Sequence, residues 1–288
     1  RKTMTTIYDP HHPLYLDEAD TRKELERVYD LCHGCRLCFK FCPSFPTLFS
    51  YIDAHDDQDA GKMTPAQQDH VADECFQCKL CYVMCPYIPE LHEWALDFPR
   101  LMLRTDAMRR ANGQVSARDK LTTAVMGHTD ALGKVATKAG VISNVVMGAK
   151  PGSLIRKVVE KTAGISSVRM LPPFAKQRFT TWFKKRPQIR LTKSQGDVAV
   201  FPTCLVEYQD PRIGHDMVKV YEHNGISCSL AGTTNCCGAP YLHSGDMDTF
   251  TKVAAKNISE LVKDVRAGKD IVVPQPTCSY ILKKDYVD

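Results

Sequence analysis

Long hydrophobic runs are missing from this sequence of 288 residues, and the best candidate, residues 141–147, is interrupted by Ser143 and Asn144. A membrane-spanning helix needs about 20 predominantly apolar residues, so we expect no transmembrane segment. The first residues also lack the apolar core of a secretory signal, and we therefore expect a cytoplasmic protein. Because residue 1 is arginine, we expect further residues ahead of it.

Nucleotide-binding signatures are missing as well. The sequence contains no G-x-G-x-x-G after a strand pattern, no P-loop and no nucleophile elbow. It also lacks the C-x-x-C-H signature of covalently attached haem. We therefore expect no flavin, nicotinamide or nucleotide site in this chain, and we expect its substrate to be oxidised by another protein. This favours an electron-transfer component of an oxidoreductase over a stand-alone enzyme.

Cysteine, by contrast, is abundant. The chain has thirteen cysteines, and an odd number cannot form a fully paired set of disulfides within one chain. A reducing cytoplasm also disfavours structural disulfides. The cysteines therefore indicate metal or redox chemistry.

Eight of the cysteines form two motifs with identical spacing, C-x2-C-x2-C-x3-C-P, at residues 32–43 and 75–86. This spacing is typical of two-cluster ferredoxins, in which the fourth cysteine of each motif ligates the other [4Fe–4S] cluster. The predicted ligands of the first cluster are Cys32, Cys35, Cys38 and Cys85. Those of the second are Cys75, Cys78, Cys81 and Cys42.

Paired zinc sites are the alternative, since C-x2-C also occurs in zinc knuckles, but zinc motifs usually separate two such halves by a dozen residues or more. His33 lies inside the first motif and is predicted to be a hydrogen-bond donor near the cluster and not a ligand. Apolar residues near the motifs are expected to exclude water from the clusters or to lie in the core. They are Leu37, Phe39, Phe41, Leu80, Tyr82 and Val83.

Four further cysteines follow predicted strands of the C-terminal region: Cys204, Cys236, Cys237 and Cys278. Ligands of open α/β sheets gather at the carboxyl ends of the strands, so these cysteines are predicted to form a third site, with iron–sulfur or zinc as its metal or with redox chemistry of its own. Gly238 would allow the turn that directs two adjacent thiols to one centre. The alternative is that they are small buried hydrophobic residues, which is the prediction for Cys228. His215 and His243 are weaker candidates for the third site.

Charge is distributed unevenly along the chain. Residues 100–195 contain 20 Lys or Arg and four Asp or Glu, whereas the whole chain has a net charge of only +5. This asymmetry indicates an anionic partner, and we expect the surface of an anionic membrane, with an acidic protein as the second choice. A solvated helical face is the simpler alternative. Nucleic acid is disfavoured because the aromatic residues of this segment cluster in its linker and do not alternate with the charges.

The overall prediction is an α+β protein in three parts. These are a helical two-cluster ferredoxin-like domain at 1–99, a basic segment of amphipathic helices and linker at 100–195, and an α/β cysteine-rich domain at 196–288, expected to be incomplete. The first helix is predicted to start at a capping box formed by Thr21 and Glu24. The C-terminal strands are predicted at 198–201, 226–230 and 271–273, and the helices at 214–223 and 246–267.

Both four-cysteine motifs, together with residues 92–99, 171–175, 201–204, 214–216 and 236–238, resemble the heterodisulfide-reductase-like iron–sulfur subunits. Within this family, the motifs are most similar to those of the iron–sulfur subunits of anaerobic glycerol-3-phosphate dehydrogenase. Related subunits serve glycolate and lactate oxidation. The resemblance implies a protein that takes electrons from a flavoprotein dehydrogenase and passes them to a membrane quinone. It also implies a peripheral position on the inner face of the cytoplasmic membrane.

The sequence departs from that family at two points. Ile281 stands where the family often has the second cysteine of a C-x-x-C pair, and only one cysteine-rich repeat is present where two are usual. Three functions therefore compete. The leading one is a two-cluster electron conduit. The second is a catalytic protein whose third site performs thiol–disulfide or quinone chemistry, and the third is a structural role for that site, with zinc or a disulfide.

Overall fold

The computed structural model of the chain describes residues 8–187, 195–233 and 236–287. The chain divides into two compact units. Unit 1 runs to residue 117 and includes residues 241–247, and unit 2 comprises residues 118–240 and 248–287. The sequence predicted three segments, with bounds at 99 and 195, from differences in composition. The two units are defined by contacts, so the three segments stay a prediction.

Unit 1 is helical. Its helices are α1 (Glu18–Cys35), α2 (Ser44–Asp53), α3 (Pro65–Asp73), α4 (Leu80–Met84) and α5 (Phe98–Ala111), with a 3₁₀ turn at Ala60–Lys62. The first helix starts earlier than predicted, because the Asp17 side chain accepts the backbone N–H of Asp20 and caps the helix. Thr21 lies inside the helix, where its hydroxyl donates to the carbonyl of Asp17. The capping box predicted at Thr21 is therefore wrong.

The core of unit 1 lies where α1, α2, α3 and α5 meet. Its fully buried side chains include Leu25, Tyr29, Phe45, Leu48 and Leu101. The apolar residues of α1 and α2 recur at helical spacing on one face, so their burial removes a continuous stripe from water. This core fixes the ends of α1 and α2, which carry the first motif.

Unit 2 contains the basic helices, a linker helix and a small sheet. Its helices and strands are α6 (Ala117–Gly127), α7 (Thr129–Lys138), α8 (Gly140–Met147), α9 (Leu154–Ala163), α10 (Phe179–Lys185), β1 (Gly196–Val200), α11 (Cys204–Tyr208), α12 (Pro211–His223), β2 (Ile226–Leu230), α13 (Ala239–Leu242), α14 (Met247–Arg266), β3 (Asp270–Val272) and α15 (Pro276–Tyr280), followed by a π-helical turn at Ile281–Asp285. The α6 and α14 helices each start at the unit boundary, and α13 crosses it. The predicted strands and helices of the C-terminal region are confirmed to within a few residues, and so is the α+β class.

The sheet has the strand order β2-β1-β3, and both pairings are parallel. The α12 helix packs against β2, and the apolar side chains Phe179, Val200, Val206 and Val218 form a buried cluster beside the sheet. Parallel strands place their carboxyl ends at one edge, which positions the loops that follow them.

Within the described residues, no helix combines the length and apolar character that a membrane span requires. The basic helices instead expose apolar side chains. On α9, Leu154 is 81% and Val158 61% exposed, while Lys157 and Lys161 are exposed on the same helix. These helices therefore present both apolar and basic groups to solvent.

Candidate iron–sulfur sites

The first motif starts inside a helix and leaves it abruptly. Cys32 and Cys35 occupy the last turn of α1, and Arg36 ends the helix in the left-handed conformation, with φ of 53°. This reversal lets Cys38 and Cys42 follow in a short irregular segment before α2 begins at Ser44. The motif thus combines a helix end with a tight turn.

The second motif reaches a similar turn but begins just after a helix and not within one. Cys75 follows α3, and both Gln77 and Lys79 adopt positive φ angles, of 52° and 64°. Lys79 is the residue ahead of α4, which carries Cys81, and Cys85 follows the end of α4. Lys79 and Arg36 occupy the same position in the two motifs, so the left-handed turn recurs with the spacing.

Four cysteines from both motifs line one cavity: Cys32, Cys35, Cys38 and Cys85. The rest of its wall is mostly apolar and includes Phe45, Phe49 and Leu96. The backbone N–H of Tyr87 donates to the sulfur of Cys85 over 3.4 Å. The structure thus brings together the four residues predicted to share the first cluster, and their soft thiolate donors suit iron–sulfur ligation.

Burial and mutual repulsion raise the pKa values of these thiols. Burial is the main cause for Cys32 and Cys38, and neighbouring cysteine thiolates add to it; the pKa of Cys38 rises to about 12. Four thiolates in an apolar cavity cannot all be charged without a positive centre between them. An iron cluster would supply that centre, so the donor set fits the predicted group.

The second predicted set is less completely assembled. Burial raises the pKa of Cys81 above its ordinary value, and the thiolates of Cys75, Cys38, Cys32 and Cys42 raise it further. Cys42 likewise raises the pKa of Cys75, so Cys42, Cys75 and Cys81 lie near one another. Cys78, the fourth member, is exposed.

Within residues 8–187, 195–233 and 236–287, no group of three or more Cys, His, Asp or Glu side chains is arranged to hold a single metal ion. A cubane places different demands on the protein, because each of its four irons takes one cysteine.

Several residues near the motifs differ from their predicted environment. Leu37 and Leu80 are about half exposed and Val83 is 75% exposed, so the expected burial of these side chains is wrong. Leu37 still lines the first cavity. The buried side chains that shield the first cavity from water are instead Phe45, Phe49 and Leu96. They belong to the helical core and to the segment ahead of α5, so the motif spacing did not point to them.

His33 is buried, and its Nε2 lies 2.8 Å from a carboxylate oxygen of Asp53. The Arg36 guanidinium contacts the same carboxylate. These contacts lower the pKa of Asp53, chiefly through the hydrogen bonds from Arg36 and His33. The prediction that His33 donates a hydrogen bond near the cluster stays a prediction, because the partner that the structure gives it is Asp53.

The cysteines of unit 2 gather at the carboxyl ends of the strands in two pairs. Cys237 and Cys278 are both buried, with their sulfurs 3.3 Å apart. Cys204 and Cys236 line a second cavity. Gly238, with φ of 89°, provides the turn after the adjacent cysteines. Residues 234–235 of the loop that leads to this pair lie outside the described residues.

A polar network holds the adjacent cysteines in place. Asn257 of α14 donates to the carbonyl of Cys236 and to the Tyr286 hydroxyl, both over 2.9 Å. Tyr286 in turn donates to the carbonyl of Cys237 over 2.9 Å. The Thr233 hydroxyl donates to the side-chain oxygen of Asn257 over 2.8 Å. Backbone groups of the cysteine loop are thereby satisfied within the fold.

Sequence reasoning missed one wall of the second cavity. Thr129 and Asp130 of α7 line it together with Tyr208 of α11, and the Tyr208 hydroxyl donates to the backbone oxygen of Asp130 over 3.1 Å. A Cβ on Gly133 would lie 2.5 Å from the Tyr208 ring, so glycine permits this close approach. No local sequence pattern predicts this contact between α7 and α11, which are far apart in the sequence.

The remaining candidates lie elsewhere. Cys228 is on β2 and packs beside the cluster around Phe179, as predicted. His215 stacks on Trp182 with ring centroids 3.8 Å apart, and burial lowers its pKa. His243 belongs to unit 1, where burial and the nearby Lys79 lower its pKa to about 4.

Comparison with known proteins identifies both cysteine regions. Residues 24–86 match the family described as the 4Fe-4S dicluster domain, and residues 198–283 match the family described as the cysteine-rich domain, CCG. A subunit of anaerobic glycerol-3-phosphate dehydrogenase from Escherichia coli K12 is 28% identical over 183 residues, which are 63% of this chain and 45% of the relative. The chain thus spans less than half the length of that relative. No solved structure matches this chain significantly.

Two other relatives match the chain over shorter stretches. Lactate utilization protein A from Shouchella clausii is 34% identical over 86 residues, 30% of this chain and 34% of the relative. A subunit of fumarate reductase (CoM/CoB) from Methanothermobacter marburgensis is 28% identical over 90 residues, 31% of this chain and 17% of the relative. The predicted resemblance to iron–sulfur subunits is confirmed: this chain is an iron–sulfur protein related to subunits of dehydrogenase and reductase complexes.

Proposed function

We propose that this iron–sulfur chain transfers electrons through two [4Fe–4S] clusters between a flavoprotein dehydrogenase and a quinone or another redox acceptor. The observation that carries the proposal is the cavity lined by Cys32, Cys35, Cys38 and Cys85. It joins the two motifs in the way that a two-cluster ferredoxin does. Cys42, Cys75, Cys78 and Cys81 are proposed to hold the second cluster.

Such clusters accept and release single electrons when bound. The protein's contribution is to exclude water and to direct hydrogen bonds at the ligand sulfurs, both of which set the potential. Phe45, Phe49 and Leu96 line the first cavity with apolar surface. The Tyr87 N–H points at the sulfur of Cys85, and the Gln77 N–H acts on Cys75 in the same way.

A partner is needed because the chain has no sequence signature for a flavin or nicotinamide. Its relatives carry the names of a dehydrogenase subunit and a reductase subunit, which supports a redox complex as its setting. The exposed Cys35 and Cys78 place one ligand of each cluster near solvent. Electron exchange with a docked protein is most efficient where a cluster is close to the surface.

The basic segment supports a peripheral position on the cytoplasmic face of an anionic membrane. The exposed Leu154 and Val158 of α9, with Lys157 and Lys161 on the same helix, suit the interface of a bilayer. We expect the holoprotein to cosediment with vesicles that contain about a third phosphatidylglycerol at low salt, and to remain in the supernatant with pure phosphatidylcholine. If both vesicle types behave alike, the charge faces an acidic protein and not lipid.

The electron-transfer function is tested by reduction and reoxidation. The anaerobically purified protein is reduced with dithionite and mixed with a water-soluble quinone analogue while the broad iron–sulfur absorbance near 400 nm is followed. We expect the absorbance to bleach on reduction and to return when the quinone is added. Absorbance that dithionite leaves unchanged would refute the proposal, whereas bleaching without recovery would refute only the quinone as acceptor.

A second candidate is catalysis of thiol–disulfide or quinone chemistry at the cysteines of unit 2. The 3.3 Å separation of the Cys237 and Cys278 sulfurs favours it. Changing Cys236 and Cys237 to serine separates the two functions. If the double variant still passes electrons from its clusters to the quinone at the normal rate, the catalytic hypothesis fails. Zinc in the C-terminal region, with no effect of the variant on turnover, would instead indicate the structural role.

A further inference from the structure

A third cavity lies within unit 2, between the end of α7, the start of α8 and the linker ahead of α10. Its volume is about 540 Å³, which is within the usual range of ligand pockets. Lys138 of α7 and Lys176 of the linker line it. Among the described residues of its wall, none is a cysteine, an aspartate or a glutamate. The cavity is therefore basic and shares no residue with the cysteine sites.

The charges of both lysines are uncompensated. Neither Lys138 nor Lys176 has a hydrogen-bond or ion-pair partner in the part of the chain that the structure describes, and both residues are exposed. Lys134, one turn earlier on α7, differs, because its ammonium lies 2.6 Å from the carboxylate of Asp130. Two ammonium groups beside one cavity, with no carboxylate in its wall, favour an anion that accepts hydrogen bonds from both.

The linker wall of the cavity is fixed by hydrogen bonds. The Phe174 backbone N–H donates to the side-chain oxygen of Asn144 over 2.7 Å, and the Asn144 amide donates to the Phe174 carbonyl over 3.0 Å. The next residue, Ala175, donates its N–H to the carbonyl of Tyr208 over 2.8 Å. These three bonds hold the backbone ahead of Lys176 against α8 and α11.

The α7 wall is held by the same tyrosine. The Tyr208 hydroxyl donates to the backbone oxygen of Asp130 over 3.1 Å, and Gly133 allows the Tyr208 ring to approach α7. Lys138 lies at the end of this helix. Both lysines therefore extend from backbone that is attached to Tyr208 before any ligand binds, and such preorganisation lowers the cost of binding.

Apolar groups also lie beside the lysines. Phe174 and Ala139 line the cavity. Val135 is 65% exposed and lies three residues ahead of Lys138, so the two side chains are neighbours on the surface of α7. A free phosphate ion would leave these apolar groups in water, whereas a phospholipid brings both a phosphate and acyl carbons. The combination favours a lipid as the source of the anion.

We propose that this cavity binds the phosphate group of an anionic phospholipid, with Lys138 and Lys176 donating to the phosphate oxygens. The glycerol and the first acyl carbons lie beside Phe174 and Val135. Binding is non-covalent and transfers no electron. This inference rests on the peripheral membrane position proposed above and deepens it, because it adds a specific headgroup site to the general attraction between a basic segment and an anionic surface.

The test uses a lipid that is soluble as a monomer, so that binding does not depend on a membrane surface. Dihexanoylphosphatidylglycerol, below its critical micelle concentration, is titrated into the anaerobic holoprotein and followed by isothermal titration calorimetry. The double variant Lys138→Gln/Lys176→Gln is compared with Lys120→Gln/Lys150→Gln. This control removes two positive charges from exposed positions of the same basic segment that do not line the cavity.

We expect the cavity variant to bind the lipid at least about tenfold more weakly than the wild type, because it loses two charge-assisted hydrogen bonds. The control variant should stay within about twofold of the wild type. Equal affinities of the two variants, or no binding of the monomeric lipid by the wild type, would overturn the inference. Iron content and far-ultraviolet circular dichroism show whether each variant is folded.

Two further ligands identify the source of the anion and need no variant. Wild-type holoprotein should bind dihexanoylphosphatidylcholine and inorganic phosphate at least about tenfold more weakly, because the first has no net charge and the second has no apolar part. Inorganic phosphate that binds as tightly as dihexanoylphosphatidylglycerol would refute the lipid as ligand. A protein that cosediments with anionic vesicles without binding the monomeric lipid would keep the membrane position and refute the cavity site, whereas a protein that does neither refutes both.

Discussion

The two groups of cysteines are assembled by different means. In unit 1 the eight cysteines follow helix ends and left-handed turns that the motif itself specifies, such as those at Arg36 and Lys79. In unit 2 four of the cysteines lie beyond the ends of three parallel strands, two of them in the short helices α11 and α15, and α7 adds a wall from outside the residues that match the cysteine-rich domain. The first group depends on local spacing and the second on the tertiary fold. Damage to a motif should therefore remove a cluster, whereas damage to the second group should first lower stability.

The largest expected effect is the loss of a cluster in Cys81→Ser. Cys81 lies among the thiols of Cys75, Cys42 and Cys38, and serine is a much poorer ligand for iron. We expect about half of the iron and acid-labile sulfide to be lost, as measured by colorimetric assay after anaerobic purification. Cys228→Ser is the matched control, since Cys228 lies on β2 and belongs to neither motif. Equal iron in the two variants would show that Cys81 is not a ligand.

The next effect concerns the wall that α7 contributes. In Gly133→Ala the new Cβ would lie 2.5 Å from the Tyr208 ring, so α7 or the ring must move, at a cost of about 1–3 kcal/mol in the free energy of unfolding. Gly140→Ala is the control, because a Cβ there meets nothing within 4 Å. Urea unfolding followed by circular dichroism compares the two. Equal midpoints would mean that α7 is not packed on Tyr208.

A smaller loss of stability is expected for Tyr286→Phe. The Tyr286 hydroxyl donates to the carbonyl of Cys237 and accepts from Asn257, and its removal leaves both groups without that partner. A cost of about 1–2 kcal/mol in the free energy of unfolding is typical of such a change. The same variant should keep the iron of the two ferredoxin motifs. Loss of that iron would show that the two groups of cysteines do not assemble independently.

The last prediction is a pH dependence that arises in unit 1. Burial raises the pKa of Asp106 from 3.8 to about 8. Because the folded protein binds this proton more tightly, the stability that Asp106 contributes is complete below about pH 4 and is lost as the pH rises to about 8. Unfolding free energies of the wild type and Asp106→Asn at pH 6 and 8.5 should show a shallower decline in the variant. Parallel declines would assign the pH dependence to other groups.

Much of the placement of the cysteines is predictable from the sequence because it depends on residues close together in the chain. The motif spacing indicates which cysteines meet, and the apolar runs at 198–201 and 226–230 indicate strands whose ends converge. What the sequence does not reveal depends on distant contacts or on small energy differences. Asp17 outcompetes Thr21 as the helix cap because its carboxylate reaches the Asp20 N–H, and Thr129 and Asp130 reach the unit 2 cysteines only through the packing of α7.

The burial of individual side chains is also not predictable from the sequence pattern alone. Val83 lies within the second motif yet is 75% exposed, because α4 has only five residues and no buried face. Phe76, in the segment ahead of α4, is 68% exposed. Lys79 is buried beside them, although lysine is a residue type that is rarely buried. Charge placement of this kind follows from the backbone turn at Lys79 and from its bond to Gln77.

If the eight cysteines of unit 1 hold two [4Fe–4S] clusters, the metal content of the protein shows it. The iron, zinc and acid-labile sulfide of the anaerobically purified chain are therefore measured. We expect at least about eight irons and about eight sulfides per chain, with about four fewer of each in Cys81→Ser. Stoichiometric zinc without acid-labile sulfide would contradict the assignment of two clusters.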